Sequence, residues 1–83
     1  MWEAVRSGAK PFEVRRADRD FQVGDTLELD EWDPEKGRLV PGLGYSGRVL
    51  VARVSYVLHG GRFGLPESVC VMGLSNVSEK DHA

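Results

Sequence analysis

The alternation of apolar and polar residues predicts a short N-terminal helix followed by β-strands. Residues 2–7 place Trp2 and Val5 on one stripe of an amphipathic helix, and Gly8 follows as its C-terminal cap. The first strand is predicted at residues 12–16, where apolar and charged side chains alternate. The apolar pattern therefore has helical spacing at the start of the chain and the two-residue spacing of a β-strand after it.

Three further strands are predicted along the chain. Residues 26–32 place Leu27 and Leu29 on one face, and β-branched and aromatic residues dominate 48–58. Residues 69–74 are the expected partner of that long strand. Because no crossover helix follows any strand, the sequence predicts an α+β, mostly β fold. We expect a small curved sheet or a partly open β-barrel with one short N-terminal helix.

The first strand indicates one wall of a cleft. Its alternation separates Phe12 and Val14, which we expect to be buried, from Glu13 and Arg15, which we expect on a common accessible surface. A carboxylate and a guanidinium on one surface, close to Lys10, suit ligand binding. The alternative interpretation is a surface ion pair between Glu13 and Arg15, which contributes about 0–1 kcal/mol and has no other role.

Length and composition indicate one globular domain. The chain has 83 residues, of which 41% are hydrophobic and 29% charged. Its single cysteine, Cys70, lies in an apolar run, which predicts a buried side chain and a reducing compartment. No run approaches the roughly 20 apolar residues of a membrane span, and the N-terminus has no apolar secretory segment. We therefore expect a cytoplasmic protein with no membrane partner.

The charges are unevenly distributed although the formal net charge is only −2. Residues 6–19 are mostly basic, residues 20–35 are acidic, and residues 36–66 contain cations but no carboxylate. Phosphate binding depends on local potential, so a net acidic chain can still bind nucleic acid. The alternative is that these charges pair with one another across strands.

The spacing Gly8-x-Lys10-x-x-Glu13-x-Arg15 resembles the signature of ASCH domains, a branch of the PUA-like superfamily of small β-barrels associated with RNA. Further segments that resemble this family follow in the same order along residues 2–74. They are similar to those of a bacterial and phage subgroup of undefined function. These segments are residues 21–27, 45–48, 54–58, 63–65 and 71–72. The resemblance implies one domain over residues 1–74, followed by a polar, frayed tail over 75–83.

The chain departs from this family pattern in two places. Family members usually carry a strand before the helix, which is absent here. Either the barrel lacks that strand, or the true start lies upstream, or another chain fills the gap, and an unpaired sheet edge would favour a homodimer. The connection over 33–47 is also long and carries apolar side chains, so we expect it to fold back over the cleft.

The resemblance implies an RNA-binding module that holds a short single-stranded segment or one nucleotide, modified or not. Lys10 and Arg15 would contact phosphate or a base edge, and Glu13 would accept hydrogen bonds from a base or orient Arg15. A further set of side chains could extend this surface: Arg16, Arg19, Arg48, Arg62 and Tyr45. Tyr56 and Phe63 could also stack on a base, but we expect them in the core.

Two other functions remain open at this point. ASCH-like clefts have been linked to hydrolysis of nucleotides, which suggests a small hydrolase acting on a nucleoside or RNA through Lys10 and Glu13, assisted by His59 or Glu67. A protein-interaction module could instead use the unpaired edge. The two histidines and one cysteine lack ligand spacing, and no phosphate loop is present, so we expect neither a metal nor a cofactor.

Overall fold

One four-stranded antiparallel sheet forms most of the protein, which is described here over residues 2–80 of a computed structural model. The strand order is β1-β4-β3-β2, and the sheet curves into a half-barrel, as the sequence predicted. The elements in chain order are α1 at Trp2–Arg6, β1 at Phe12–Arg16, β2 at Thr26–Trp32, a 3-10 helix at Pro41–Gly44, β3 at Tyr45–His59 and β4 at Val69–Glu79.

The short helix α1 is closed by Gly8 and tied to the sheet by Trp2. Gly8 has φ of +86°, and its N–H donates to Val5 O at 3.1 Å, which ends the helix in the left-handed cap that the sequence predicted. Trp2 Nε1 donates to Leu29 O at 2.8 Å. Across residues 2–80, no helix has the length and apolar character that would carry it through a bilayer.

The core lies on the inner, concave face of the sheet, against α1. Leu50, Val54 and Met72 have no accessible surface, and Val5 of the helix is 3% exposed. Cys70 is also buried, as predicted. Burial raises the pKa of the Cys70 thiol, because desolvation disfavours the thiolate, and the nearby Asp18 raises it further.

β4 is longer than its local composition suggested. It continues to Glu79, where the sequence predicted a polar, frayed tail after Leu74. The polar half of β4, residues 75–79, pairs with the first half of β3, where Leu50 lies opposite Glu79. β3 itself starts at Tyr45 rather than at Arg48. Long-range pairing thus organises residues whose polarity alone indicated a tail. Residues 81–83 of the predicted tail lie outside the described residues.

Irregularities bend the two long strands. The pairing of β3 with β4 shifts between Val51 and Arg53 and again between Val54 and Tyr56, and Asn76 has φ of +52°. An extra residue in one strand increases its local twist and bend. These shifts let two long strands follow the curvature of a half-barrel.

The expected burial of β1 was wrong. Phe12 and Val14 are 41% and 49% exposed, whereas Glu13 and Arg15 point to the inner face. The register explains the reversal, because Glu13 lies opposite the buried Met72 and Arg15 opposite the buried Cys70. β1 is an edge strand over the open part of the half-barrel, so its inner face is a cleft wall. The prediction that Glu13 and Arg15 share one surface was correct.

The two aromatic residues expected in the core are also exposed. Tyr56 is 64% exposed, because the register shift after Val54 turns it to the outer face of the sheet opposite Gly73. Phe63 is 85% exposed in the turn between β3 and β4, where its φ is +54°. Neither side chain contributes to the core.

The long connection after β2 packs around Trp32 instead of covering the cleft beside Lys10. Trp32 Nε1 donates to Pro41 O at 3.0 Å, and the indole leaves no room for a Cβ at Gly37 or Gly44. The expectation that this segment folds back over the cleft was therefore wrong. The connection packs on the indole of Trp32, which lies at the end of β2 where the connection begins.

Candidate functional site

A small cavity lies between the two edge strands of the half-barrel, beside α1. Its volume is ≈ 180 Å³. We call it the Lys10 pocket, and it is lined by Trp2, Val5, Lys10, Glu13, Arg15, Leu29 and Asp30. It therefore contains all three charged residues of the signature found in the sequence.

The turn between α1 and β1 positions Lys10. After the Gly8 cap, the Lys10 N–H donates to Ala4 O at 2.9 Å, which holds the backbone of Lys10 against the helix. The Lys10 side chain is 11% exposed and its Nζ lies 5.3 Å from the centre of the Phe12 ring. The lysine side chain is thus mostly buried, and it forms part of the pocket lining.

Glu13 lies between two cations. Its Oε1 is 3.7 Å from Lys10 Nζ, and its Oε2 is 3.5 Å from Arg15 Nη2. The Glu13 side chain is only 18% exposed, and that of Arg15 is 33% exposed. These separations allow ion pairing but exceed the length of a normal hydrogen bond.

The hydrogen-bonding groups of this triad are available to a ligand. Among residues 2–80, no side-chain hydrogen bond involves Lys10, Glu13 or Arg15. Asp30 adds a second carboxylate to the lining. The pocket therefore offers both donors and acceptors with balanced charge, which suits a polar ligand carrying both kinds of group.

Arg48 is not brought to the Lys10 pocket. Its Nη2 donates to Glu79 Oε1 at 2.8 Å, its Nη1 is 3.9 Å from Glu31 Oε1, and its guanidinium lies 4.6 Å from the centre of the Trp2 ring. The hydrogen bond that Arg48 donates to Glu79 raises the pKa of Arg48 and lowers the pKa of Glu79. This guanidinium is engaged by other side chains of the chain.

The other predicted arginines lie outside the pocket lining as well. Arg16 is exposed at the end of β1, paired in register with Val69, and the guanidinium of Arg19 lies 5.4 Å from the centre of the Phe21 ring. Arg62 is exposed in the connection between β3 and β4. These three residues are separate from the triad.

His59 and Glu67, the two residues considered as helpers in catalysis, also lie away from the Lys10 pocket. His59 is paired in register with Cys70, which is paired in turn with Arg15, so His59 lies two strands from Arg15. Glu67 lies beside Gly61 in the connection between β3 and β4. Neither residue lines the Lys10 pocket.

A larger cavity of ≈ 510 Å³ lies beside Trp32 and Tyr45, whose ring centres are 6.4 Å apart. Its lining includes three carboxylates and one lysine: Glu3, Glu31, Asp33 and Lys36. Tyr45, a predicted nucleic-acid residue, therefore lies in an acidic surrounding that disfavours phosphate. We assign the candidate site to the smaller Lys10 pocket because it has the cations and the enclosed acceptor.

Sequence reasoning missed four lining residues of the Lys10 pocket: Trp2, Val5, Leu29 and Asp30. The helix stripe containing Trp2 was visible, but its position beside β1 depends on how α1 packs on the sheet. Asp30 alternates with Leu27 and Leu29 along β2 and lies on the other face, yet it reaches the pocket because β2 is the other edge strand. In the part of the chain that the structure describes, no three His, Cys, Asp or Glu side chains are grouped to hold a metal ion.

Comparison with known proteins identifies one family. A domain of unknown function, DUF3850, matches residues 1–74. No curated protein and no solved structure matches the chain. The matched range includes α1, β1 and the whole triad of the Lys10 pocket. Since the match covers most of the 83 residues, the chain belongs to the DUF3850 family.

Proposed function

We propose that this protein is an RNA-binding module of the ASCH type, within the PUA-like superfamily, and that it holds one nucleotide of a single strand in the Lys10 pocket. One observation carries the proposal. Glu13 lies 3.7 Å from Lys10 Nζ and 3.5 Å from Arg15 Nη2 in one pocket, and none of the three side chains makes a hydrogen bond to another side chain or to the backbone of residues 2–80.

The chemistry of a nucleobase edge fits this set of groups. A base offers N–H donors beside carbonyl and ring-nitrogen acceptors, and single-stranded RNA exposes these edges. Glu13 would accept from a base N–H, while Lys10 and Arg15 would donate to its acceptors. Two carboxylates in the lining make an isolated phosphate a poorer ligand. Base recognition therefore accounts for the balanced charge better than phosphate binding alone.

The size of the pocket limits the ligand. Its ≈ 180 Å³ is below the roughly 300–1,000 Å³ of sites that enclose drug-sized molecules. One base or one nucleoside is the largest unit that we expect to be enclosed, with the rest of an RNA strand lying outside. Arg16, Arg19 and Arg62 would contact such a strand only outside the pocket.

The ASCH assignment is part of this proposal. It is supported by the order of the signature residues, by the half-barrel of four antiparallel strands and by the position of the signature side chains on one cleft wall. The exposed edge of β1 corresponds to the open part of the half-barrel.

A fluorescence titration with short single-stranded RNA at about 50 and 200 mM salt tests the proposal. Hydrogen bonds to charged groups are worth about 1.5–3 kcal/mol, so Lys10→Ala/Arg15→Ala should weaken binding by roughly tenfold or more. The matched control is Lys36→Ala/Arg38→Ala, which removes two exposed cations elsewhere. Equal weakening by both double variants, or no binding by the native chain, would contradict the assignment to the Lys10 pocket.

A second candidate function is hydrolysis of a nucleoside or RNA. Lys10 and Glu13 line the same pocket, so a substrate bound there would meet a proton donor and a proton acceptor, as a hydrolase requires. Incubation of the native protein with RNA and with nucleosides separates the two functions. Turnover that is lost in Lys10→Ala and Glu13→Gln, with the fold retained, would favour the hydrolase. Binding without turnover would leave the binding module.

A further inference from the structure

The free edge of β1 exposes the backbone groups of alternate residues. Pro11 O accepts from the Leu74 N–H at 3.0 Å, and the Ala17 N–H donates to Ser68 O at 2.8 Å, so the odd-numbered residues of this segment face β4. In an antiparallel strand the two backbone groups of a residue point to the same side, and successive residues alternate. The N–H and C=O groups of Phe12, Val14 and Arg16 therefore point away from the sheet.

No other strand of residues 2–80 pairs with this edge. Among residues 2–80, β1 is the first strand in the sheet order and β4 is the one strand paired with it, while α1 packs against β2 and β4. β1 contains no proline, and Phe12 and Val14 are 41% and 49% exposed. Natural edges are commonly protected by proline, bulges, covering segments, short length or inward-pointing charges. β1 has the last two, since it is five residues long and carries Glu13 and Arg15 on its inner face, and only a partner that matches these charges can pair with it. The opposite edge, β2, carries Glu28, Asp30 and Glu31, so two copies of β2 would repel each other.

We propose that two copies of this chain pair antiparallel through β1, around a two-fold axis at Val14. Val14 then faces the partner's Val14, Phe12 faces the partner's Arg16, and Glu13 faces the partner's Arg15. The outward backbone groups of the five-residue strands supply about six hydrogen bonds across the axis. The pairing joins two four-stranded sheets into one continuous sheet.

The charges of β1 select this register. Its sequence is FEVRR, and opposite charges directly across an antiparallel pair are stabilising whereas like charges are destabilising. A shift of one hydrogen-bonding step in one direction brings Glu13 opposite the partner's Glu13. The same shift in the other direction brings Arg15 opposite the partner's Arg15. The register centred on Val14 is the one that matches both charges along the full strand.

The dimer adds a cation to each Lys10 pocket. The partner's Arg15 lies beside Glu13, and Glu13 already has Lys10 and its own Arg15 within 3.7 Å. Each pocket is thus completed by the other copy. This inference goes beyond the nucleotide site proposed above and does not depend on it, because the edge and its charges are present with or without a ligand.

The interface is small, which determines how it must be measured. Stable specific interfaces bury about 1,200–2,000 Å², more than two five-residue strands supply. We therefore expect a reversible dimer whose population depends on concentration. Sedimentation velocity of the native chain from about 5 to 500 µM should show a shift from monomer to dimer. A native chain that stays monomeric over that range overturns the proposal, and continued growth beyond a dimer overturns the two-fold pairing.

Val14→Pro isolates the edge. The Val14 N–H points away from β4, so proline removes no hydrogen bond within one copy, but it removes two across the proposed axis. We expect at least a tenfold increase in the dimer dissociation constant, with the β-sheet circular dichroism spectrum retained. Val14→Thr keeps the N–H and the branched side chain, and it is the matched control that should dimerise. Dimerisation of Val14→Pro with native affinity overturns the proposal.

A charge exchange tests the register. Glu13→Arg places arginines at both inner positions of β1, and Arg15→Glu places carboxylates at both. Each variant alone should be monomeric, and an equal mixture should form a heterodimer. Failure of the mixture to associate, when both variants remain folded, overturns the Val14 register. If either variant unfolds, the comparison of Val14→Pro with Val14→Thr decides.

Discussion

The indole N–H of Trp2 donates to the backbone oxygen of Leu29 at 2.8 Å, and this bond joins the helix to β2 across 27 residues of sequence. The same indole lines the Lys10 pocket and stacks under the guanidinium of Arg48. One side chain of a five-residue helix thus links an edge strand, a pocket wall and a surface arginine. Because α1 is too short to be stable by itself, its position depends on such tertiary contacts.

We predict that Trp2→Phe lowers the stability of the fold. Phenylalanine keeps an aromatic ring but cannot donate to Leu29 O, and one hydrogen bond contributes about 0.5–1.5 kcal/mol. In a domain of this size each kcal/mol shifts Tm by about 4–8 °C. Thermal unfolding followed by circular dichroism measures the shift. A Tm equal to that of the native chain would show that this bond contributes nothing to stability.

Gly60→Ala should be severely destabilising. A Cβ at Gly60 would overlap the backbone oxygens of Pro66 and Val69, which cannot move aside as a flexible side chain could. Overpacking against fixed atoms typically costs about 1–3 kcal/mol or more. Gly42→Ala is the matched control, because nothing lies within 4 Å of the position that its Cβ would occupy. Chemical denaturation of both variants tests the difference, and equal midpoints would contradict it.

Cys70 should be unreactive in the folded protein. Its side chain is 2% exposed, and burial raises the pKa of the thiol, so little of the reactive thiolate is present near neutral pH. A thiol reagent such as DTNB should react with it much more slowly in native buffer than in denaturant. Rapid reaction under native conditions would mean that the strand carrying Cys70 opens readily.

The sequence predicted the elements of this fold well and their faces less well. The bounds of β1 and β2 follow from local alternation, and both were predicted to the residue. The reversed burial of Phe12 and Val14 was missed, because alternation defines two faces but not which one meets the core. Apolar residues are usually buried, and here an edge strand over an open cleft turns its charged face inward instead.

In the candidate site, contacts between residues close in sequence were predicted and a long-range contact was missed. Lys10, Glu13 and Arg15 are close in sequence, so a short motif could place them on one wall. Arg48 was predicted to join them, and it instead contacts Glu79, which is 31 residues away. That pairing follows from the register of β3 with the polar half of β4, and the local polarity of residues 75–79 gave no sign of a strand.

The pair formed by Arg48 and Glu79 should make stability depend on pH in the acidic range. The hydrogen bond from Arg48 lowers the pKa of Glu79 below its ordinary value of 4.5. A carboxyl whose pKa is lower in the folded state stabilises that state above its unfolded pKa, and the contribution is lost as pH falls through the folded pKa. The guanidinium of Arg48 stays protonated throughout, because Glu79 raises its pKa further.

We therefore expect Glu79→Gln to have a lower Tm than the native chain at pH 7, with the difference disappearing as pH falls from about 5 to about 3. Both side chains are 43% exposed, so the difference should be small, and added salt should reduce it. Glu35→Gln is the matched control, because Glu35 is exposed and none of the ion pairs found in residues 2–80 includes it. Thermal unfolding of the three proteins at several pH values measures the effect. A Tm difference that persists unchanged at pH 3 would mean that Glu79 acts through packing rather than through its charge.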